Sequence, residues 1–253
     1  MIVDKVEKRV KKIFEGRKGK VGIQQIKMIY ERKYEDKINH KKIIRIKGKN
    51  GFVTKIRRKN KYSTFAKAEH EHKVCSNHLK RAFAPEKPDL VYSIDITQIN
   101  YGATKAYLAA VKDLCSKDII GFNISKKVDV NLTNLAINKA IGRLTKDQLK
   151  KLMIHSDQGM HFTHHSYRNI LESNGVTQSM SRRGNCLDNA PIETFFGIIK
   201  DQLDLKGCND FRALKKMITK EIRYYNYERP QIGLNKKPPI EYRGLFKTVG
   251  AFY

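Results

Sequence analysis

The chain is short of cysteine, short of acid and without any long apolar stretch. Its only cysteines, Cys75, Cys115, Cys186 and Cys208, are scattered and form no CxxC pair. That argues against a disulfide framework and agrees with an intracellular setting. No run of about 18 apolar residues is present, which argues against a membrane-spanning helix. The opening MIVDKVEKRVKKIF lacks the uninterrupted apolar core of a signal peptide. Acid is the scarcer charge: 25 Asp and Glu face 52 Lys and Arg, a formal net charge of +27. A field of that sign attracts nucleic acid or an acidic membrane surface, and without an apolar span nucleic acid is the expected partner. What is present in quantity is 40% hydrophobic residues over 253 positions, enough for one full core and a small appendage.

The charge is concentrated. Residues 1–60 hold 21 Lys and Arg against 6 Asp and Glu, more than half of the surplus. This marks a basic, all-α amino-terminal module over 1–51, a basic linker over 52–86 and a larger domain over 87–253. In the module, Val3, Val6, Val10, Ile13 and Phe14 recur at helical spacing, as do Ile23, Ile26, Ile29 and Tyr30. Asn39 is placed to cap a third helix, His40 to Lys47, anchored by Ile43, Ile44 and Ile46 and stopped by Gly48 and Gly51. Lys41, Lys42, Arg45 and Lys47 decorate it as expected of a helix that approaches DNA; the plainer alternative is a solvated basic bundle. The turn GRKGKVG is not a phosphate loop, since its glycine spacing is too short and no Ser or Thr follows its Lys. In the linker, His70, His72, Cys75 and His78 fall within nine residues, but their spacing is not that of a common zinc finger. A tether with chance histidines is the preferred reading.

The larger domain alternates strands and helices. Val91 to Ile99 reads as a strand, and Ala106 to Val111 with Ile119 to Ile124 as a hairpin. Leu132, Leu135, Ala136, Ala140 and Leu144 mark an amphipathic helix. Leu152 to Ile154 is a short strand, Tyr167 to Leu171 is helical, and Val176 to Gln178 is a further strand. Pro191 opens a helix through Ile192, Phe195, Phe196 and Ile199. A closing helix covers Leu214 to Tyr225. The pattern predicts a mixed α/β sheet flanked by helices.

Three acids stand out: Asp95 in VYSIDITQI, Asp157 in LMIHSDQG and Glu193 in NAPIETFFGIIK. The gaps between them are 61 and 35 residues. Two sit at strand positions and one in the first turn of a helix. Phosphodiester chemistry needs charge stabilised on both the attacking and the leaving oxygen, and two hard cations held by carboxylates do this. Asp113, Asp129, Asp188 and Glu241 read instead as turn, cap or surface groups.

These segments carry a resemblance. VYSIDITQI, VKDLCSKDIIGFNIS, HSDQGMHF, QSMSRRGNCLDNAPIETFFGIIK and YYNYERPQIGLNKKPPIEY resemble, in order, the segments of the DDE integrase-like core of bacterial insertion-sequence transposases. The closer match is OrfB, the second-frame product of two-frame elements. GIQQI and NHKKIIRIKGKNGF resemble that family's helix-turn-helix, and the 35-residue gap resembles its D35E spacing. Tyr92 stands where the family usually has Trp. The resemblance implies a ribonuclease-H-like, retroviral-integrase-like fold. It implies that Asp95, Asp157 and Glu193 are catalytic and hold two Mg2+ ions, for which Mn2+ can substitute. It also implies DNA contacts from Lys200, Ser181, Arg182, Arg183 and Asn185, with Arg229 and Asn226 either touching DNA or packing the carboxy-terminal helix. The implied reaction is cleavage and strand transfer at transposon ends in the bacterial cytoplasm, nucleoid-associated when bound. The implied partners are DNA, the OrfA product or an OrfA–OrfB fusion, and further copies on DNA, with no membrane. The alternatives are an accessory DNA-binding protein inactive without OrfA and a ribonuclease-H-like nuclease.

Overall fold

A computed structural model describes residues 4–55, 75–182 and 186–248. The chain divides into two compact units, Met1–Thr64 with Glu228–Pro238, and Phe65–Tyr227 with Pro239–Tyr253.

The smaller unit holds helices α1 (Lys5–Gly16), α2 (Ile23–Tyr34) and α3 (His40–Lys49). Asp4 and Asn39 cap α1 and α3 by accepting the backbone N–H of Val6 and Lys41, donors that no helical carbonyl can reach. Val10, Ile13, Phe14, Ile26, Tyr30, Ile43 and Ile46 form the core. Ile44 does not join it and is 48% exposed, because one residue along a helix turns the side chain about 100° away from Ile43. Gly48 does not stop α3; the helix runs on to Lys49, and Gly51 takes the left-handed φ of +63° just beyond. Residues 228–238, which the sequence boundaries group with the larger domain, cluster with these helices. Gln25 Nε2 donates to the Pro230 carbonyl at 3.3 Å, and Lys236 pairs with Glu31 at 3.2 Å.

The larger unit is built on a five-stranded sheet in the order β3-β2-β1-β4-β5. Strands β1 (Val91–Tyr101), β2 (Thr104–Asp113) and β3 (Ile119–Ser125) form an antiparallel meander. Strands β4 (Met153–Ser156) and β5 (Thr177–Met180) run parallel to β1. Helices α4 (Val130–Ile141), α5 (Lys146–Lys151), α6 (Met160–Thr163) and α7 (His165–Ser173) lie along the chain between them. Helices α8 (Ala190–Gln202), α9 (Phe211–Tyr227) and α10 (Pro239–Thr248) follow. Side chains alternate across a strand. Tyr92 and Ile94 therefore pack with Leu132, Ala136, Ile137 and Ala140 of α4 on one face. Ile99 of β1, with Leu108 and Ala110 of β2, packs with Ile192, Phe195 and Phe196 of α8 and Leu214 and Ile218 of α9 on the other.

Helix α4 approaches β3 so closely that a Cβ on Gly121 would lie 2.3 Å from the Ala136 carbonyl oxygen. Leu135 is 50% exposed, whereas Leu144 lies past the helix end but still packs partly against the core, to which Ile137 and Ile141 contribute from the helix. Asp129 caps α4, as its sequence position suggests. Asp113 and Asp188 are not surface groups: both are buried at the centre of ion-pair networks. Asn226 is buried on α9, and its side-chain amide both donates to and accepts from the Ile119 backbone at 2.8 and 2.9 Å, so it packs the helix.

Candidate active site

The topology brings the three acids into one electrostatic field. Ser93 of β1 pairs with His155 of β4, and Asp95 and Asp157 each lie two residues beyond that pair. Two adjacent parallel strands therefore bring the two carboxylates alongside each other, Asp95 within β1 and Asp157 just past the end of β4. Each is oriented by a local donor. Asp95 Oδ1 accepts the Ile96 N–H at 2.7 Å, and Asp157 Oδ1 accepts the Gly159 N–H at 2.8 Å. A Cβ on Gly159 would lie 2.9 Å from Asp157 Oδ1, which favours glycine in this Asx turn. Glu193 is exposed in the first turn of α8, the helix laid over the Asp95 face of the sheet.

The carboxyl groups feel one another. Burial and then the Asp157 charge push Asp95 up to about 8; Glu193 adds to this, while the Ile96 N–H and Lys200 oppose it. Burial raises Asp157, with the Gly159 N–H and His161 opposing. Burial and then Asp157 raise Glu193. Half-buried carboxylates that repel one another are the donor set a hard divalent cation neutralises, so the residues suit Mg2+ in kind. Among the described residues, however, no group of three or more His, Cys, Asp or Glu side chains is drawn together as a metal cage.

Lys200 is half-buried on α8, two turns from Glu193, and its charge reaches Asp95. Ser181 is buried; its N–H donates to the Ser156 carbonyl at 2.9 Å and its carbonyl accepts Gln158 Nε2 at 3.0 Å. Arg182 pairs with Asp188 at 3.1 Å. Arg183 and Asn185 lie outside the described residues, as do His70 and His72 of the histidine-rich tether. Cys75 Sγ instead meets Gln178 Oε1 at 3.5 Å. On α3, Lys41 and Arg45 are exposed, Lys42 pairs with Asp4 at 2.8 Å, and Lys47 turns inward to Thr54 at 2.6 Å. The residue that sequence reasoning missed is Asp188. It is 1% exposed, pairs with Arg81 at 2.7 Å and accepts from Asn77 at 3.1 Å, which fixes the turn leading into α8. Two of its partners, Arg81 and Asn77, lie more than a hundred residues upstream, and only its place just before the Glu193 helix could have flagged it.

Residues 85–186 and 174–239 each match an integrase core domain family. The InsK protein of insertion sequence element IS150 from Escherichia coli K12 is 32% identical over 94% of this chain and 82% of its own length. The chain belongs to the integrase-core family of insertion-sequence transposases. A transposase-like protein of Haemophilus influenzae is 36% identical over 82% of this chain and 94% of its own length. Among solved structures, the HTLV-2 integrase catalytic core domain in complex with magnesium matches with a TM-score of 0.51 at 21% identity. That match covers 62% of this chain and 98% of that one, and it shows a shared retroviral-integrase-like fold. The simian T-cell lymphotropic virus intasome matches with a TM-score of 0.54 at 15% identity, over 93% of this chain and 74% of that one. Family membership makes the protein a transposase, a polynucleotidyl transferase of DNA integration. No helix among the described residues is long and apolar enough to cross a membrane.

The raised Asp95 carboxyl has a consequence for the stability of the metal-free transposase. Its folded-state pKa, about 8, lies above the ordinary carboxylate value of 3.8. The favourable contribution of the protonated form is complete below that ordinary value and is lost as pH rises through about 8. Asn at position 95 cannot ionise and escapes the loss. Asp95→Asn therefore raises the thermal midpoint at pH 7.5 by at least about 2–4 °C, the shift of one kcal/mol for a unit of this size. The gain disappears near pH 4. Thermal melts in chelator at both pH values check it, and an equal or lower midpoint at pH 7.5 contradicts it.

Proposed function

We propose that Asp95, Asp157 and Glu193 are the catalytic carboxylates of this transposase and hold two Mg2+ ions, which Mn2+ can replace. The observation that supports this reading is the shared field of the three acids, in which Asp157 raises both Asp95 and Glu193 and Lys200 opposes the rise at Asp95. Bound there, the ions supply charge stabilisation at the attacking and leaving oxygens. The chain's own part is to position. Asp95 is fixed within β1 and Asp157 just past the end of β4, each with its backbone donor, and Glu193 by α8. Lys200 offers a cation to the DNA phosphate on the same helix face, and Lys41 and Arg45 of α3 present exposed positive charge to the duplex. At the transposon end, a water oxygen bonds to phosphorus, a P–O bond breaks and a 3′-hydroxyl is released. That hydroxyl then attacks a second phosphodiester in line, displacing its 3′ oxygen and losing its proton. Strands join with no covalent enzyme intermediate, so catalysis rests on positioning and electrostatics. The OrfA product, as a separate chain or fused, and further copies of this chain on DNA complete the proposed assembly.

The test is the full-length protein with labelled transposon-end DNA and Mg2+. Joined strands are expected. Cleavage without joining identifies a nuclease instead. Binding without turnover that OrfA restores identifies an accessory protein.

A further inference from the structure

Lys112 is only 5% exposed, and the chemistry above does not use it. It lies on β2 directly opposite Ser93 of β1. Cross-strand partners share a sheet face, and Ser93 and Asp95 are two residues apart, so Lys112 leaves the sheet on the Asp95 side. Burying an ammonium group is costly unless strong partners replace water. Its Nζ donates at 2.7 Å to the carbonyl of Pro191, in the first turn of α8. Helix electrostatics do not explain that choice, since a helix N-terminus carries partial positive charge and favours anions. A second tie sits beside it: Ser93 Oγ donates to Asn189 Oδ1 at 3.0 Å, and both residues are buried. The two central strands thus grip α8 at positions 189 and 191, immediately before Glu193. Glu193 is exposed and owes its place to the helix frame.

We infer that Lys112 is a positioning residue that clamps the start of α8 to the sheet and thereby sets Glu193 against Asp95. The inference rests on the reading of Glu193 as a metal ligand. Groups that orient metal ligands typically change metal affinity by about 10–100-fold when removed.

The test uses the full-length protein without DNA, with Mn2+ affinity read by calorimetry or electron paramagnetic resonance and folding by near-UV circular dichroism. Lys112→Met keeps the aliphatic stem and removes the donor; it is expected to weaken Mn2+ binding by about 10-fold or more while the fold persists. Lys112→Arg, which keeps a charged donor, recovers most of the loss. In a Glu193→Gln background, Lys112→Met causes no further weakening, because the ligand it positions is gone. A merely structural lysine would weaken binding in both backgrounds or in neither, and either result overturns the inference. If Glu193→Gln itself leaves Mn2+ affinity unchanged, the carboxylate reading fails and this inference falls with it. If Glu193→Gln weakens binding and Lys112→Met does not, only the clamp is wrong. Should Lys112→Met fail to fold, Ser93→Ala tests the same grip from β1, and unchanged Mn2+ affinity there also overturns it.

Discussion

Asp157→Asn is expected to lower strand transfer by on the order of 10³-fold or more, because ion-held charge in the transition state is worth several kcal/mol and each 1.36 kcal/mol is tenfold. The amide is close in size to the carboxylate, so the turn closed by the Gly159 N–H survives. What is lost is the negative charge that a hard cation requires. DNA binding stays near wild type, since the surplus of Lys and Arg over acid is untouched. The same change has a readout independent of turnover. Asp157 is the largest charge acting to raise Asp95, so its removal draws the Asp95 carboxyl back down from about 8. Carboxyl-selective NMR titration of the metal-free protein would show that fall. Lys200→Ala makes the contrast: on the proposed reading transfer drops while Mn2+ affinity holds, because an ammonium group can neutralise a phosphate but cannot ligate the cation. Strand transfer at wild-type rate in Asp157→Asn removes the two-ion mechanism. An unmoved Asp95 separates the two aspartates.

The acids were legible in the sequence because each is embedded in a short element with its own periodicity. Asp95 interrupts an alternating strand, Asp157 ends an apolar run, and Glu193 follows a helix-opening proline. Local signals of this kind also revealed the sheet strands and the Asn39 and Asp129 caps. What stayed hidden depends on partners far along the chain. Asp113 is a turn acid, accepting the N–H groups of Cys115 and Ser116 as its position suggests, but its pairing with Arg243, 130 residues away, leaves no local sign. Asp188 resembles a loop acid until Arg81 reaches it from 107 residues upstream. Lys112 follows four buried residues of β2, and nothing local in the sequence announces the Pro191 carbonyl that receives it. Leu135 failed for a different reason. The buried stripe of α4 includes Ile137 and Ile141, and Leu135 falls outside it. The grouping of residues 228–238 with the helical unit has no periodic signature at all, since it rests on single contacts such as Gln25 with Pro230.

Arg243→Ala is expected to cost about 3–5 kcal/mol, the usual price of stripping one partner from a buried ion network. Arg243 is 7% exposed on α10 and pairs with Asp89 at 2.8 Å, Asp113 at 2.9 Å and Asp118 at 3.0 Å. Burial works against its charge, yet Asp118 and Asp113 hold its pKa above the ordinary arginine value. At about 2–4 °C per kcal/mol for a unit of this size, the midpoint falls by about 6–20 °C. The deficit must also depend on pH. Burial acts to raise Asp89, but the Tyr92 hydroxyl and Arg243 hold it below the ordinary value, so its contribution to the wild type is lost as pH falls. Burial leaves Asp113 raised even with Arg243 opposing it. In the variant that opposition is gone, and protonation near pH 4 relieves the buried charge. Both effects narrow the gap between variant and wild type on acidification. Arg243→Lys falls between the two, because a point charge cannot fork to three carboxylates. Equal deficits at pH 7 and pH 4, or a loss below about 1 kcal/mol at pH 7, would mean that the network is not held by Arg243. The damage should also reach the site. Asp113 immediately follows Lys112 on β2, so the strand end that anchors α10 is the one that grips α8. Mn2+ affinity in Arg243→Ala, measured well below its midpoint, is therefore expected to fall in the same direction as in Lys112→Met.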